Sequence, residues 1–283
     1  MKPFTQVVSL VAFTLCAITA CQPLFAQTQE TREIYKTVGE RQLTLTINRP
    51  AGWKPADQRP AIVFFFGGGW TKGSPVQFQP QAEHFAQRGL VCLRADYRLI
   101  SRDKILPDAC VEDAISAMRW VRAHAKTLGI DPNRIVAAGG SAGGHLAACT
   151  AVVDDINASA EDKTISPKPN ALILYNPVVD MVACAKESAK GTFEGLDVRT
   201  IARISPMQLL SKAQPPTLLI DGTADRFNAQ IRAFEEKCKA LGVQVEARYV
   251  KDQPHGFFNK QPWQEQTTAM ADAFLVRIGY LRE

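Results

Sequence analysis

The stretch Arg134-Ile-Val-Ala-Ala-Gly-Gly-Ser-Ala-Gly-Gly-His145-Leu-Ala-Ala limits what this chain can fold into more than any other. Ile135, Val136, Ala137 and Ala138 read as a buried strand, Gly139 to Gly144 as a sharp turn, and the small residues from about His145 as a helix. A strand that turns sharply into a helix, with serine at the apex of G-x-S-x-G, presents its hydroxyl at the edge of a sheet. Gly139 and Gly143 flank Ser141 at the positions where a side chain would collide with the neighbouring strand and helix. The helix that follows offers unpaired N–H groups and the positive end of its dipole to an anion formed there.

The remaining chain alternates strands and helices. Glu33–Val38 and Leu43–Asn48 alternate around Gly39-Glu40 as a hairpin, and Gly52–Pro60 is a loop. Ala61–Phe66 is a continuous apolar strand ending in Gly67-Gly68-Gly69-Trp70. Three glycines after a central strand are entropically costly and indicate close approach of backbone to something, such as a developing negative charge. Phe78–Arg88 reads as a helix, Val91–Ala95 as a strand, and Pro107 opens a helix over Asp108 to about Lys126, with Val111, Ala114, Ile115, Met118 and Val121 on one face. Gly129–Arg134 is expected to turn into the serine-bearing strand, and Asp154–Pro169 to be a polar loop. Ala171–Tyr175 is a further strand, ending at Asn176-Pro177. Val178 to about Gln214 shows no strand and reads as a small insertion over the site. Thr217–Asp221 (strand), Ala229–Leu241 (helix), Val243–Val250 (strand) and Pro262–Ile278 (helix) close the chain. The pattern predicts an α/β fold: a mostly parallel sheet with helices on both faces, in one domain over residues 27–283.

Composition narrows the function classes. With 283 residues, 46% hydrophobic and 22% charged, the chain can bury a sizeable core and is not disordered. A net charge of +5 without a basic cluster gives no footprint for nucleic acid. No C-x-x-C, H-E-x-x-H or other metal-ligand spacing occurs, so neither a metal nor another cofactor is expected. Lys2 followed by the apolar run Val7–Ala20 reads as a signal peptide, residues 1–26, with cleavage after Ala26 and export to the periplasm or beyond. The second reading takes Ile18-Thr19-Ala20-Cys21 as a lipobox, with the protein anchored through a lipidated Cys21. Removal of Cys16 and Cys21 leaves five of the seven cysteines: Cys92 and Cys149 in core-like runs, and Cys110, Cys184 and Cys238 open to pairing in an oxidising compartment. No later segment is long and apolar enough to span a membrane.

A serine hydroxyl needs a base, and the base needs a partner to fix its tautomer. Of the four histidines, His84 and His124 fall on helices as surface or packing residues, and His145 supports the serine turn. His255, in Pro254-His-Gly-Phe257, follows the strand ending at Val250; in an open α/β sheet ligands meet the loops at the carboxyl ends of strands. By the same rule Asp225, beyond the turn at Gly222-Thr223, is the acid, and Asp221, still on the strand, is structural. Asp96, Asp108 and Asp113 precede the serine and are assigned to ion pairs or helix caps. The order Ser141, Asp225, His255 is that of a triad on this architecture.

Phe66-Gly-Gly-Gly-Trp70, Asp96-Tyr-Arg-Leu99, Val111-Glu-Asp-Ala114, Gly139-Gly-Ser-Ala-Gly-Gly-His145, Asp221-Gly-Thr-Ala-Asp225 and Pro254-His-Gly-Phe257, in this order over roughly residues 60 to 280, resemble the α/β-hydrolase esterases. The nearest resemblance is to the hormone-sensitive-lipase-like and acetyl-esterase/lipase branch. It implies that the N–H groups of Gly68, Gly69 and Ala142 form an oxyanion hole. That branch usually begins the glycine loop with histidine, where this chain has Phe66, and many members carry an N-terminal helical cap that this chain lacks. The cover over the site then comes from about residues 178–214, which suggests a small or open acyl pocket, with Trp70 and Phe78 as lining residues and core packing the other account of Phe78. The expected activity is hydrolysis of short-acyl esters by a serine carboxylesterase, through an acyl-enzyme. The substrate would be a small molecule or carbohydrate, including ester groups on plant polysaccharides. The competing readings are a prolyl-oligopeptidase-like peptidase and a ligand-binding homologue without catalysis.

Overall fold

The computed structural model describes residues 29–187 and 193–283. The expected leader, Cys16, Cys21 and both processing sites lie outside the described residues, as do residues 188–192 of the expected insertion. The hairpin of β1 (Gln29–Val38) and β2 (Arg41–Arg49) forms around Gly39-Glu40 and delivers the chain to β3 (Arg59–Phe65). There follow α1 (Gln79–Gln87), β4 (Val91–Ala95), the short α2 (Ile100–Asp103), α3 (Pro107–Ala123), β5 (Ile130–Gly140) and α4 (Ala142–Val152). The second half runs β6 (Ala171–Tyr175), α5 (Met181–Glu187), α6 (Val198–Arg203), α7 (Pro206–Leu209), β7 (Thr217–Gly222), α8 (Asn228–Ala240), β8 (Val245–Val250) and α9 (Trp263–Arg277). The eight strands lie in the order β1-β2-β4-β3-β5-β6-β7-β8. Pairing is antiparallel where β2 meets β1 and β4, and parallel from β4 through β8.

Alternation along the central strands divides the core in two, because successive side chains of a strand face opposite ways. Ala61, Val63 and Phe65 of β3, Ile135 and Ala137 of β5, and Leu172 and Leu174 of β6 face a core shared with α3, α4 and α8. Ile62, Phe64, Val136, Ala138, Ile173 and Tyr175 face the other core, filled by Ala82 and Phe85 of α1 and Ala271, Phe274 and Leu275 of α9. Helix α3 shows why its sequence is helical there: Pro107 occupies the first turn, where its missing N–H is not needed, and Val111, Ala114, Ile115, Met118 and Val121 are all fully buried.

Several boundaries differ from expectation: β1 begins at Gln29, four residues before Glu33, α3 ends at Ala123, short of Lys126, and two more concern the helix and strand on either side of the serine. Helix α4 starts at Ala142, directly after the serine, not near His145. Its first turn is buried on every side and carries no apolar period from which to read a start. Strand β5 starts at Ile130, inside the expected turn, because Ile130 already pairs with Arg59 before a register shift leads to Ala61 opposite Ile135. The stretch from Val178 to Gln214 contains α5, α6 and α7 and is sewn down by Met207 N–H to Val179 O (2.8 Å) and Lys237 Nζ to Met207 O (2.6 Å).

Phe64 stacks on Phe78 with ring centroids 5.1 Å apart and lies 6.4 Å from Phe85. Phe64→Ala is therefore expected to lower unfolding stability by about 3–5 kcal/mol. In urea titration the midpoint should fall with the slope unchanged.

Candidate active site

Parallel strands bring their carboxyl ends to one rim, and four of them end in the residues of interest. Ser141 follows β5, Asn176 follows β6, Asp221 and Asp225 stand at and beyond the end of β7, and His255 lies in the loop after β8. Ser141 has φ 54° and ψ −119°, a conformation that side-chain-bearing residues hold only where the surroundings dictate it. Ser141 N–H donates to Tyr175 O (2.9 Å) on the neighbouring strand, and Ser141 O accepts from His145 N–H (3.0 Å). The close packing demands glycine: a Cβ on Gly143 would lie 2.0 Å from Phe65 O, and one on Gly139 2.3 Å from Gly143 O.

The structure brings Ser141, His255 and Asp225 into one hydrogen-bonded line. His255 Nε2 lies 2.8 Å from Ser141 Oγ, and His255 Nδ1 lies 2.8 Å from Asp225 Oδ2. The acceptor-only carboxylate draws the ring proton to Nδ1, which leaves Nε2 as a lone pair facing the hydroxyl. Burial by itself would raise the Asp225 carboxyl, yet the bonds from His255 and from Phe227 N–H (2.8 Å to Oδ1) hold it below the ordinary carboxylate range. Asp225 thus stays charged behind a half-buried imidazole. This array can take a proton from the serine and return it to a leaving group.

The loop after β3 lies against the serine turn, since a Cβ placed on Gly67 would be 3.2 Å from Ser141 Cβ. Gly68, Gly69 and Trp70 are three successive residues of positive φ, at 133°, 63° and 59°. Gly67 N–H donates to Gln77 Oε1 (2.6 Å), and Thr71 and Lys72 N–H both donate to Gly68 O (3.2 Å each). The N–H groups of Gly68 and Gly69 enter no hydrogen bond among the described residues. Ala142 is the first residue of α4, where an N–H has no acceptor within the helix. Phe66, in the place of the usual histidine, stacks on Tyr97 at 4.1 Å, and Tyr97 Oη donates to Phe66 O (2.7 Å). The loop is thus anchored by an aromatic pair.

The other candidates go elsewhere. Phe78 is 1% exposed and packs among Phe64, Tyr175 and Phe258, so it fills the core and does not line an open pocket. Trp70 is 5% exposed, with its indole N–H directed inward to His145 Nδ1 (3.2 Å), so it too has little surface to offer an acyl chain. His84 pairs with Asp272 (2.9 Å), and His124 stacks on Trp120. Asp113 is buried between Arg98 (2.8 Å) and Lys36 (2.7 Å), and Asp96 pairs with Arg41. Cys110 and Cys238 are buried free thiols, and Cys184 is buried with Gln230 Nε2 3.5 Å from its sulfur.

Sequence reasoning missed the polar layer behind the acid. Asn176 sits at φ 43° and uses its amide to bridge two carboxyls, with Nδ2 2.7 Å from Asp221 Oδ1 and 2.6 Å from Asp225 Oδ2. Asn228 Nδ2 donates to Asp221 Oδ2 (2.7 Å). The only signal was asparagine at a strand end, one of the few residues that tolerate left-handed backbone. Burial, against the Asn228 bond and with the charge of Asp225 added, pushes Asp221 up to about 6. Of the two carboxyls, Asp221 takes the proton first. A carboxyl raised in the folded state stabilises the fold below its unfolded value, 3.8, and that advantage is lost as pH rises through about 6. The stability of wild type relative to Asp221→Asn is thus expected to fall by about 2 kcal/mol between pH 4 and pH 7, read from urea unfolding at each pH.

Comparison with known proteins follows the same line. The family model described as BD-FAE matches residues 45–236. The carboxylic ester hydrolase LipN of Mycobacterium tuberculosis is 30% identical over 251 residues, covering 76% of this chain and 64% of that protein. Esterase LipC of the same organism is 30% identical over 220 residues, covering 72% of this chain and 54% of that protein. The chain thus spans less than two thirds of the length of these curated relatives. Among solved structures, Thermogutta terrifontis esterase 2 phosphorylated by paraoxon superposes with a TM-score of 0.83 at 45% identity, covering 90% of this chain and 96% of that one. The same esterase with propionate bound gives 0.82 at 44% identity, covering 92% and 98%. With a family model over most of its length and an esterase fold matched almost end to end, the chain belongs to the BD-FAE family and has the α/β-hydrolase fold of the esterases it resembles.

Proposed function

We propose that the protein is a serine carboxylesterase in which Ser141 is the nucleophile, His255 the general base and acid, and Asp225 the orienting carboxylate. One observation carries the reading: the line from Ser141 Oγ through His255 to Asp225, 2.8 Å at each step. His255 Nε2 takes the hydroxyl proton as Oγ attacks the ester carbonyl. The oxyanion is held by the N–H groups of Gly68, Gly69 and Ala142, each contributing about 3 kcal/mol to lowering the barrier. His255 passes its proton to the leaving alcohol, whose departure leaves an acyl-Ser141. Water, activated by the same imidazole, then adds to the acyl carbon and releases the acid and the free serine.

Short acyl groups are the substrate class within this proposal. Its support is the likeness to T. terrifontis esterase 2, solved with propionate and with butyrate bound, and the compact cover of short helices between Val178 and Gln214. Export by the N-terminal leader and action on ester groups of plant polysaccharides complete the proposal and rest on the sequence. N-terminal sequencing of the mature protein is expected to begin at Gln27; a chain starting at a lipidated Cys21 replaces secretion with anchoring.

Ser141→Ala is expected to lower kcat for p-nitrophenyl acetate on the order of 10⁴-fold or more. Asp225→Asn should lose about 10⁴-fold through the wrong imidazole tautomer. Across p-nitrophenyl esters, kcat/KM should peak at two to four acyl carbons (about that range on the ligands above), with no cleavage of acyl-proline amides. Full activity in Ser141→Ala contradicts the reading.

A further inference from the structure

We infer that His145 is a positioning residue for the oxyanion loop, its imidazole bracing Trp70 against Ile204 so that the Gly68 and Gly69 N–H groups stay aimed at the serine. The inference rests on the reading of those glycines as oxyanion donors. Hydrogen-bond chemistry fixes the state of the ring. An indole N–H only donates, so His145 Nδ1, 3.2 Å from Trp70 Nε1, is unprotonated. The ring proton is therefore on Nε2, which lies 2.6 Å from Ile204 O and donates to it. The backbone of the same residue donates to Ser141 O (3.0 Å). His145 thus ties together the serine turn, the glycine loop and the segment that covers them.

The brace acts where it is needed. Trp70 ends the run of positive φ that begins at Gly68, and a tryptophan keeps such a conformation only if its surroundings enforce it. Ile100 N–H to Trp70 O (2.9 Å) and the edge-on ring of Phe193 (centroids 6.0 Å apart) also restrain it. Phe66 stands where the resembling branch has histidine, so here an imidazole reaches the loop from helix α4 instead of from within the loop. The ring is fully buried and, among the described residues, has one titratable group within bonding distance, the Cys149 thiol (3.3 Å), itself held protonated by burial. No charged side chain among the described residues bonds to it. Burial lowers the imidazole to about 4, so the neutral form persists through neutrality. Protonation at Nδ1 would set N–H against N–H, so the brace holds above about pH 4 and fails as pH falls through it.

The test is steady-state hydrolysis of p-nitrophenyl acetate and inhibition by an aliphatic trifluoromethyl ketone, which forms a tetrahedral oxyanion on the serine. Trp70→Phe keeps the ring and removes the N–H. It is expected to lower kcat on the order of 10-fold, leave KM within about twofold, and weaken the ketone by the same factor as kcat/KM. His145→Gln, which supplies an acceptor and a donor, should recover much of the loss seen in His145→Ala. In ¹⁵N NMR of the wild-type protein the His145 ring should show the Nε2–H tautomer and no titration above about pH 5. Wild-type kcat and ketone affinity in Trp70→Phe, or a ring that titrates near its ordinary value, overturns the brace. If the wild type fails to hydrolyse esters, or hydrolyses them without Ser141, the triad reading fails instead.

Discussion

Two stretches of nearly bare backbone touch at the carboxyl rim of the sheet, and the rest of the site depends on that contact. The turn around Ser141 and the loop after β3 approach so closely that a methyl on Gly143 would enter Phe65 O, and one on Gly67 would crowd Ser141 Cβ. With no side chains between them, the loop backbone at Gly67 comes directly against Ser141. In the proposed reaction the oxyanion donors are main-chain N–H groups anchored next to the sheet and at the start of α4, so they need no reorganisation when charge develops. The conformational strain is local and is met by neighbours: Tyr175 O and His145 N–H for the serine turn, Tyr97 and Gln77 for the loop.

The second requirement is a charge kept inside the protein. Asp225 is almost entirely buried, an environment that favours the neutral acid. Its bonds from His255 and Phe227 N–H reverse that preference. Asp221, fully buried beside it, would add a second charge to the same site; instead its raised proton affinity makes it the neutral member of the pair at acid pH. The asparagines on either side then satisfy carboxyl oxygens that water does not reach.

Much of this was legible in the sequence where the signal is local. Strands such as Val91–Ala95 and Ala171–Tyr175 are apolar runs bounded by turn residues, and their limits agree with the structure to the residue. The loop carrying Ser141 was placed by its G-x-S-x-G turn between strand and helix, and those carrying Asp225 and His255 by strand ends and chain order. What stayed hidden depends on contacts far apart along the chain. The start of α4 is masked because Ala142, Gly143 and Gly144 are small and buried on all sides. Asn176 becomes a bridge only when β6 and β7 align, and His145 becomes a brace only when Trp70 folds onto it. Phe78, an aromatic near the glycine loop in sequence, turns into the layer between sheet and α9.

Strand direction, more than the volume of open space, locates the chemistry. A cavity of about 940 Å³ lined by Pro55, Arg122, Lys126 and Ile130 lies at the amino end of β5, the full length of that strand from Ser141. The carboxyl rim is where the Asp225 carboxylate, the His255 imidazole and the Ser141 hydroxyl line up. The most direct test of that convergence is mass spectrometry of the intact and proteolysed protein after reaction with paraoxon. A single phosphoryl adduct on the peptide carrying Ser141, formed at a rate that collapses in His255→Ala, is the expected result. An adduct on another residue, or none while ester hydrolysis persists, would contradict the account.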